Sequence, residues 1–207
     1  MLDLGSLIYR IPALLFAITI HEYAHAQCAD SLGDPTPRFM GRLSFNPLSH
    51  LDPIGALLLV IAGFGWAKPV VINPSNFRNR REDMIRVALA GPGSNLLLCF
   101  MAAFLSAVMN KFGLLSDGVH AILFWIQRYN VWFAFFNLIP IPPLDGSKFL
   151  LELLPAWTAY KLEYFMGRYG FFILITLVFA GVVSAIVNPF AKGYMVLVNS
   201  ILGIFFK

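Results

Sequence analysis

Four long apolar stretches are the feature of this sequence that most limits how the chain can fold. They cover residues 4–26, 84–109, 119–139 and 171–187, and a shorter fifth stretch covers residues 194–206. A helix needs about 20 largely apolar residues to cross the hydrocarbon core of a bilayer. The sequence therefore predicts an all-α polytopic membrane protein with about five to six transmembrane helices.

The composition excludes a water-soluble globule. The 207-residue chain is 58% hydrophobic and 13% charged, whereas soluble domains are about 45–50% apolar and about 25% charged. The net charge of +4 comes from loop Lys and Arg residues without a basic and aromatic stripe, so we expect no nucleic-acid partner. Cys28 and Cys99 offer no disulfide framework. The expected surroundings of the chain are therefore a lipid bilayer.

The loop charges also predict an orientation. If the first apolar helix runs from outside to inside, most Lys and Arg residues fall on the cytoplasmic side, while Lys111 and Lys192 fall outside. Cytoplasmic loops of membrane proteins carry such an excess of basic residues. We therefore expect a multi-pass protein of the cell membrane whose first helix ends near the cytoplasmic face.

A metal-binding pattern lies at the cytoplasmic end of the first apolar stretch. His21 and His25 are four residues apart, and Glu22 lies between them. Helical spacing puts both imidazoles on one face, where they can bind one Zn²⁺, and places Glu22 to take a proton from water at the metal. Ionisable side chains at bilayer depth are costly and by default mark function. The alternative is a chance match of a short motif.

A catalytic zinc commonly has three protein ligands and an open position for water, so a third ligand must come from elsewhere. Asp145 is a lone carboxylate that follows an apolar segment and lies at the depth of the two histidines. Its Pro-Pro-Leu-Asp-Gly context fits a simple turn equally well. Cys28 shares the helix face of the histidines, and as a fourth ligand it would make the site structural. Five other carboxylates are expected in a solvated turn, at helix caps or on the surface: Asp30, Asp34, Asp52, Glu82 and Asp83.

Three short motifs occur in order on successive membrane segments: His21-Glu22-x-x-His25, Gly91-Pro92-x-x-Asn95 and Asn137-x-x-Pro140-x-x-x-x-Asp145-Gly146. In combination and order they closely resemble the site-2 protease family of intramembrane zinc metalloproteases. The resemblance covers most of residues 11–150. It implies one Zn²⁺ bound by His21, His25 and Asp145.

The resemblance also implies roles for other residues of these motifs. Glu22 is the general base, and Asn137 binds the substrate backbone or stabilises the tetrahedral oxyanion. The alternative for Asn137 is a helix-terminal cap beside a proline. Asn95 is a candidate supporting residue, while the motif around Gly91 is expected mainly to let helices pack closely.

The stretch at residues 54–66 is too short to cross the bilayer, so it is expected to enter and return. Within it, the sequence Gly63-Phe64-Gly65 resembles the family's re-entrant β-loop. The residues that follow, Val70, Val71 and Ile72, are expected to form an edge strand that holds an unwound substrate by β-addition. The alternative is an ordinary cytoplasmic hairpin.

The resemblance implies a single transmembrane metalloprotease domain over residues 1–207. We expect a catalytic core at residues 4–150, the re-entrant loop and β element at residues 54–72, and C-terminal helices at residues 170–207. No PDZ-like or nucleotide-sensing domain is expected before Leu4 or after the last helix.

The expected activity is hydrolysis of a peptide bond within or near the transmembrane segment of a membrane-anchored regulatory protein. Expected partners are this single-span substrate, the lipid bilayer, and a regulatory membrane protein or a second copy of the chain. A zinc transporter and a zinc-stabilised scaffold without activity are the alternatives. A transporter needs polar residues towards the outer face, which the apolar stretches barely supply, and a structural site has no need of a base such as Glu22.

Overall fold

The computed structural model describes residues 4–53, 55 and 67–206 of the chain. The α-helices with described bounds are α1 (Leu4–Ser31), α2 (Thr36–Phe39), α3 (Arg80–Lys111), α4 (Asp117–Asn137), α5 (Asp145–Leu153), α6 (Ala156–Phe179) and α7 (Val182–Phe205). Two short 3₁₀ turns lie at Pro47–Ser49 and Pro74–Asn76. The described part of the chain is thus helical, as predicted.

Helices α1, α3 and α4 pack against one another and form the centre of the molecule. Small residues line their contacts: Ala13 and Ala17 on α1 and Ala134 on α4 are fully buried. Small side chains let helix backbones approach closely, which is the main source of helix packing where lipid surrounds the protein. Helix α5 packs on α3, and α7 packs on α4. This arrangement brings the end of α4 and the start of α5 beside α1.

Three of these helices, α3, α6 and α7, are long and apolar enough to cross a membrane. Helices α1 and α4 cover the predicted spans at residues 4–26 and 119–139. The predicted span at residues 171–187 is wrong, because α6 ends at Phe179 and α7 begins at Val182. Gly181 between them has a φ of +76°, a left-handed conformation that glycine adopts without steric cost and that ends a helix. The apolar stretch at residues 194–206 is the second half of α7.

The predicted β element does not form a strand in the described residues. Val70, Val71 and Ile72 are extended but unpaired as strands, and one isolated antiparallel bridge joins Leu51 to Ala67. The physical reason is that this segment bonds to side chains. The residues Gly63, Phe64 and Gly65 lie outside the described part of the chain.

Two buried polar side chains hold this extended segment at both ends. Arg42 is 2% exposed and donates hydrogen bonds to the carbonyl oxygens of Ser49 and Pro69. Asp34 is fully buried and accepts hydrogen bonds from the backbone N–H of Asn73 (2.8 Å) and the amide of Asn76 (2.7 Å). The segment between Pro69 and Asn73 is therefore fastened to the chain that follows α1.

The burial of Asp34 corrects the expectation of a solvated turn. Besides its bonds to Asn73 and Asn76, its carboxylate accepts hydrogen bonds from the backbone N–H and hydroxyl of Thr36. Burial alone raises the pKa of this carboxyl, but the four hydrogen bonds favour its charged form, and the pKa of Asp34 lies below its ordinary value. Asp30, by contrast, forms an ion pair with the exposed Arg38.

Candidate metal centre

Three side chains converge at one buried point. The Nε2 atoms of His21 and His25 lie 3.1 Å apart, and Oδ2 of Asp145 lies 3.1 Å from the first and 2.9 Å from the second. All three residues are at most 5% exposed. Within the described residues these three form the group that could hold a metal ion. The structure thus brings together the ligand set that the sequence suggested.

The elements position each ligand for a local reason. The helical spacing of His21 and His25 on α1 puts both rings on the face that meets α3 and α4. Asp145 is the first residue of α5 and follows the proline-rich turn after α4. A Cβ at Gly146 would overlap the backbone of Leu138 and the carbonyl oxygen of Ile139, so only glycine permits this close turn. The turn places the Asp145 carboxylate against α1.

The hydrogen bonds behind the histidines show which nitrogen of each ring is free. Nδ1 of His25 lies 2.7 Å from the carbonyl oxygen of Val87, which can only accept, so this nitrogen carries a proton. Nδ1 of His21 lies 2.7 Å from Oδ1 of Asn95, whose amide nitrogen donates to the carbonyl of Ala17. In both neutral rings the lone pair is therefore on Nε2, which faces the shared point.

This donor set fits zinc. Two imidazole lone pairs and a carboxylate oxygen face one another at 2.9–3.1 Å, a cluster that requires a cation or an added proton between them. A tetrahedral ion with bonds of about 2.0–2.2 Å separates its ligand atoms by about 3.3 Å or slightly more. The observed spacings are within a few tenths of an ångström of that value. Three protein ligands leave a fourth position for water, as catalytic zinc sites do.

Helix α3 forms the wall behind the histidines. A Cβ at Gly91 would overlap both imidazole rings and would lie 2.6 Å from Cε1 of His21. The absent side chain thus makes the space in which the rings stand, a role more direct than the helix packing expected from the motif. Asn95 is fully buried one turn further on and contacts His21, which confirms its place beside the site.

Glu22 is buried beside the ligands at 8% exposure. Its Oε2 accepts a hydrogen bond from the backbone N–H of Val70 at 3.2 Å. The extended segment held by Arg42 and Asp34 therefore reaches the predicted base. This contact also explains why Val70 is not part of a strand in the described chain.

Asn137 lies at the last turn of α4 and is 7% exposed. Its amide nitrogen donates to the carbonyl oxygen of Phe133 in its own helix at 3.0 Å. This bond matches the alternative of a helix-terminal role, and contact with a substrate stays a prediction. Cys28 packs beside an apolar cluster of Ala29, Phe77 and Val87 and is not in the described metal-binding group.

Sequence reasoning missed three contributors to the site. Lys148 lies 3.2 Å from Oδ1 of Asp145, the carboxylate oxygen that faces away from the histidines. The carbonyl of Val87 has no side-chain signal. Asn130 on α4 contacts Asn95, and its polarity within an apolar helix was the signal that could have found it.

This geometry defines a zinc-metalloprotease type of site, with two histidines, a carboxylate ligand and an adjacent glutamate. The profile of Peptidase family M50 matches residues 113–181. A Bacillus subtilis (strain 168) protein named "Putative zinc metalloprotease YwhC" is 39% identical over 175 residues, which cover 82% of this chain and 79% of that protein. A Mycolicibacterium smegmatis protein named "Putative zinc metalloprotease Rip2" is 31% identical over 183 residues, covering 84% and 67%. No solved structure matches the chain significantly.

The chain belongs to peptidase family M50, the site-2 protease family. Zinc is the cofactor of this family, and the observed donor set fits it.

Proposed function

We propose that this protein is an intramembrane zinc metalloprotease that hydrolyses a peptide bond within or near the transmembrane segment of a membrane-anchored regulatory protein. The observation that carries this proposal is the convergence of His21, His25 and Asp145 on one buried point, with Glu22 on the same helix. A site that only stabilised the fold would need no carboxylate base beside its ligands.

The chemistry follows from the residues. Zn²⁺ bound here supplies Lewis acidity, which brings the pKa of water from 15.7 to about 7 and polarises the scissile carbonyl. Glu22 accepts a proton from the attacking water and then donates it to the leaving amine, so no proton is gained or lost by the enzyme over the cycle. The N–H of Val70 holds one oxygen of Glu22 in place and leaves the other to handle the proton.

The bonds behind the ligands support this chemistry by holding the rings in the required state. Val87 and Asn95 accept from Nδ1 of His25 and His21, so both rings are oriented before metal binds. Such partners of metal ligands typically contribute about 10–100-fold to metal affinity or activity.

A substrate helix must open before it can be cleaved, because its peptide groups are bonded within the helix. The extended residues 70–72 are the proposed template, since Val70 touches Glu22 and Val71 is half-exposed. Gly63, Phe64 and Gly65 are proposed to continue this surface. Asn137 is proposed to turn its amide from Phe133 towards the substrate backbone.

The site is proposed to lie near the cytoplasmic face of a multi-pass protein. His21 lies about 25 Å along α1 from Leu4 at 1.5 Å per residue, close to the thickness of the hydrocarbon core. Thiol labelling of intact cells tests this orientation in a chain without Cys28 and Cys99. A cysteine at position 111 should react with an impermeant reagent and one at position 80 should not, and the reverse pattern would invert the orientation.

The activity itself is tested with purified protein and single-span membrane proteins reconstituted in vesicles. Mass spectrometry should find products cut within or near the transmembrane segment, lost on chelation and restored by added Zn²⁺. Zinc flux across the vesicle without any cleaved product would favour the transporter. Bound zinc with neither flux nor cleavage across a panel of substrates would favour the scaffold.

A further inference from the structure

A pair of buried asparagines joins three helices behind His21. Asn95 on α3 and Asn130 on α4 are both fully buried. The amide nitrogen of Asn95 donates to Oδ1 of Asn130 at 2.6 Å and to the carbonyl oxygen of Ala17 on α1 at 3.1 Å. The amide nitrogen of Asn130 donates to the carbonyl oxygen of Ile126 at 2.8 Å. This relay has two ends at backbone carbonyls and one end at the metal centre.

The direction of every hydrogen bond in the relay is determined, because a carbonyl oxygen can only accept. Ile126 accepts from the amide nitrogen of Asn130, so Oδ1 of Asn130 is turned towards Asn95. Oδ1 of Asn130 then accepts from the amide nitrogen of Asn95, and Ala17 accepts from the same nitrogen. Oδ1 of Asn95 is left to face Nδ1 of His21 at 2.7 Å. Nδ1 must donate, so the lone pair of His21 is on Nε2.

Reversal of the Asn95 amide would break this order. Its oxygen would then face the carbonyl of Ala17 and Oδ1 of Asn130, two acceptors, and its nitrogen would face His21. A donor at Nδ1 would move the ring proton to Nε2 and block the metal-binding lone pair. Asn130 supplies one of the two acceptors that oppose this reversal, and buried groups without partners are costly.

We propose that Asn130 is a positioning residue of the zinc site, which holds the Asn95 amide so that His21 keeps its proton on Nδ1 and its lone pair on Nε2. The proposal rests on the assignment of His21 as a zinc ligand. Asn130 acts through Asn95 and touches neither metal nor substrate. A residue needed there for packing alone would be replaced well by leucine, which has a similar size and no polar group.

The test uses the full chain in detergent and compares Asn130→Leu with Asn130→Asp. Leucine removes the acceptor, whereas a neutral aspartic acid keeps both an acceptor for Asn95 and a donor for Ile126. Zinc affinity, measured by competition with a chelator, should fall about tenfold or more in Asn130→Leu and stay within about threefold of wild type in Asn130→Asp. Gln127→Leu removes another amide from α4 and should leave zinc affinity unchanged.

A second measurement reports the tautomer directly. In zinc-free protein with ¹⁵N-labelled histidine, His21 should carry its proton on Nδ1, and in Asn130→Leu a fraction should move to Nε2. Wild-type zinc affinity in Asn130→Leu with the Nδ1 proton retained would overturn the proposal. A wild-type His21 protonated on Nε2 would overturn it even if the leucine variant does not fold.

The zinc site itself is checked in the same series by Asp145→Ala. Unchanged zinc affinity in that variant would show that the ligand assignment has failed. Weakened affinity in Asp145→Ala together with wild-type behaviour in Asn130→Leu would show that the site stands and the positioning role does not.

Discussion

Nδ1 of His25 donates to the carbonyl oxygen of Val87 at 2.7 Å, so the backbone of α3 sets the direction in which this imidazole presents Nε2. Gly91 lies one turn further along the same helix, where any side chain would meet both imidazoles. Helix α3 thus contributes a backbone acceptor and a missing side chain to the metal centre. Its part in the site is to shape and orient the ligands carried by α1.

Gly91→Ala is expected to weaken zinc binding about tenfold or more, because the new methyl group overlaps the rings of His21 and His25 and displaces their Nε2 atoms. Chelator competition measures the change. Gly93→Ala is the matched control, since a Cβ there meets nothing within 4 Å. Equal zinc affinity in the two variants would show that Gly91 does not shape the site.

Asp145→Ala is expected to lower zinc affinity by about tenfold or more through loss of a ligand oxygen. Metal analysis after dialysis against a chelator measures this loss. Asp117→Ala is a suitable control, because Asp117 is also the first residue of a helix but is exposed. A similar loss of zinc in both variants would assign the effect to helix stability, and wild-type zinc content in Asp145→Ala would remove this residue from the ligand set.

The histidine pair and the base could be predicted from spacing alone, because the helical period puts residues 21 and 25 on one face. Asp145 could not be separated from a turn residue by local chemistry, since its position beside α1 depends on how α4, the proline turn and α5 are arranged. The Val87 carbonyl and the Asn95–Asn130 contact arise from helix packing, which leaves no periodic signal. The break at Gly181 lies in a continuous apolar run, so hydropathy joined two helices into one predicted span.

Val71→Pro is expected to impair cleavage while zinc stays bound. Proline removes a backbone N–H from the extended segment that contacts Glu22, and an added strand needs such donors. Val71→Ala keeps the N–H and should retain most activity, so the ratio of the two cleavage rates at equal zinc content is the measurement. Crosslinkers at positions 64 and 71 should capture the substrate near its cleaved bond. A proline variant that cleaves normally, without crosslinks at either position, would show that substrate is held elsewhere.

Asp34→Asn is expected to lower the thermal unfolding temperature in detergent at pH 7, because the amide cannot replace all four hydrogen bonds of the carboxylate. The folded-state pKa of Asp34 is below its ordinary value of 3.8, so this stabilisation is fully present above that pH. It is lost as the pH falls through the lower, folded-state pKa.

The difference in unfolding temperature between wild type and Asp34→Asn should therefore narrow at acidic pH. Glu82→Gln alters an exposed carboxylate and should show little difference at any pH. A gap for Asp34→Asn that stays constant from pH 7 down to the acid limit of the fold would contradict the role given to the charged carboxylate.

Glu22→Gln tests the catalytic assignment most directly. Glutamine preserves the size of the side chain and an acceptor for the Val70 N–H, but it cannot take a proton from water. The measurement is the rate of substrate cleavage together with bound zinc in the same preparation, with Glu82→Gln as control. We expect zinc content equal to wild type and a cleavage rate at least about 100-fold lower. Cleavage by Glu22→Gln at near the wild-type rate would contradict the proposed mechanism.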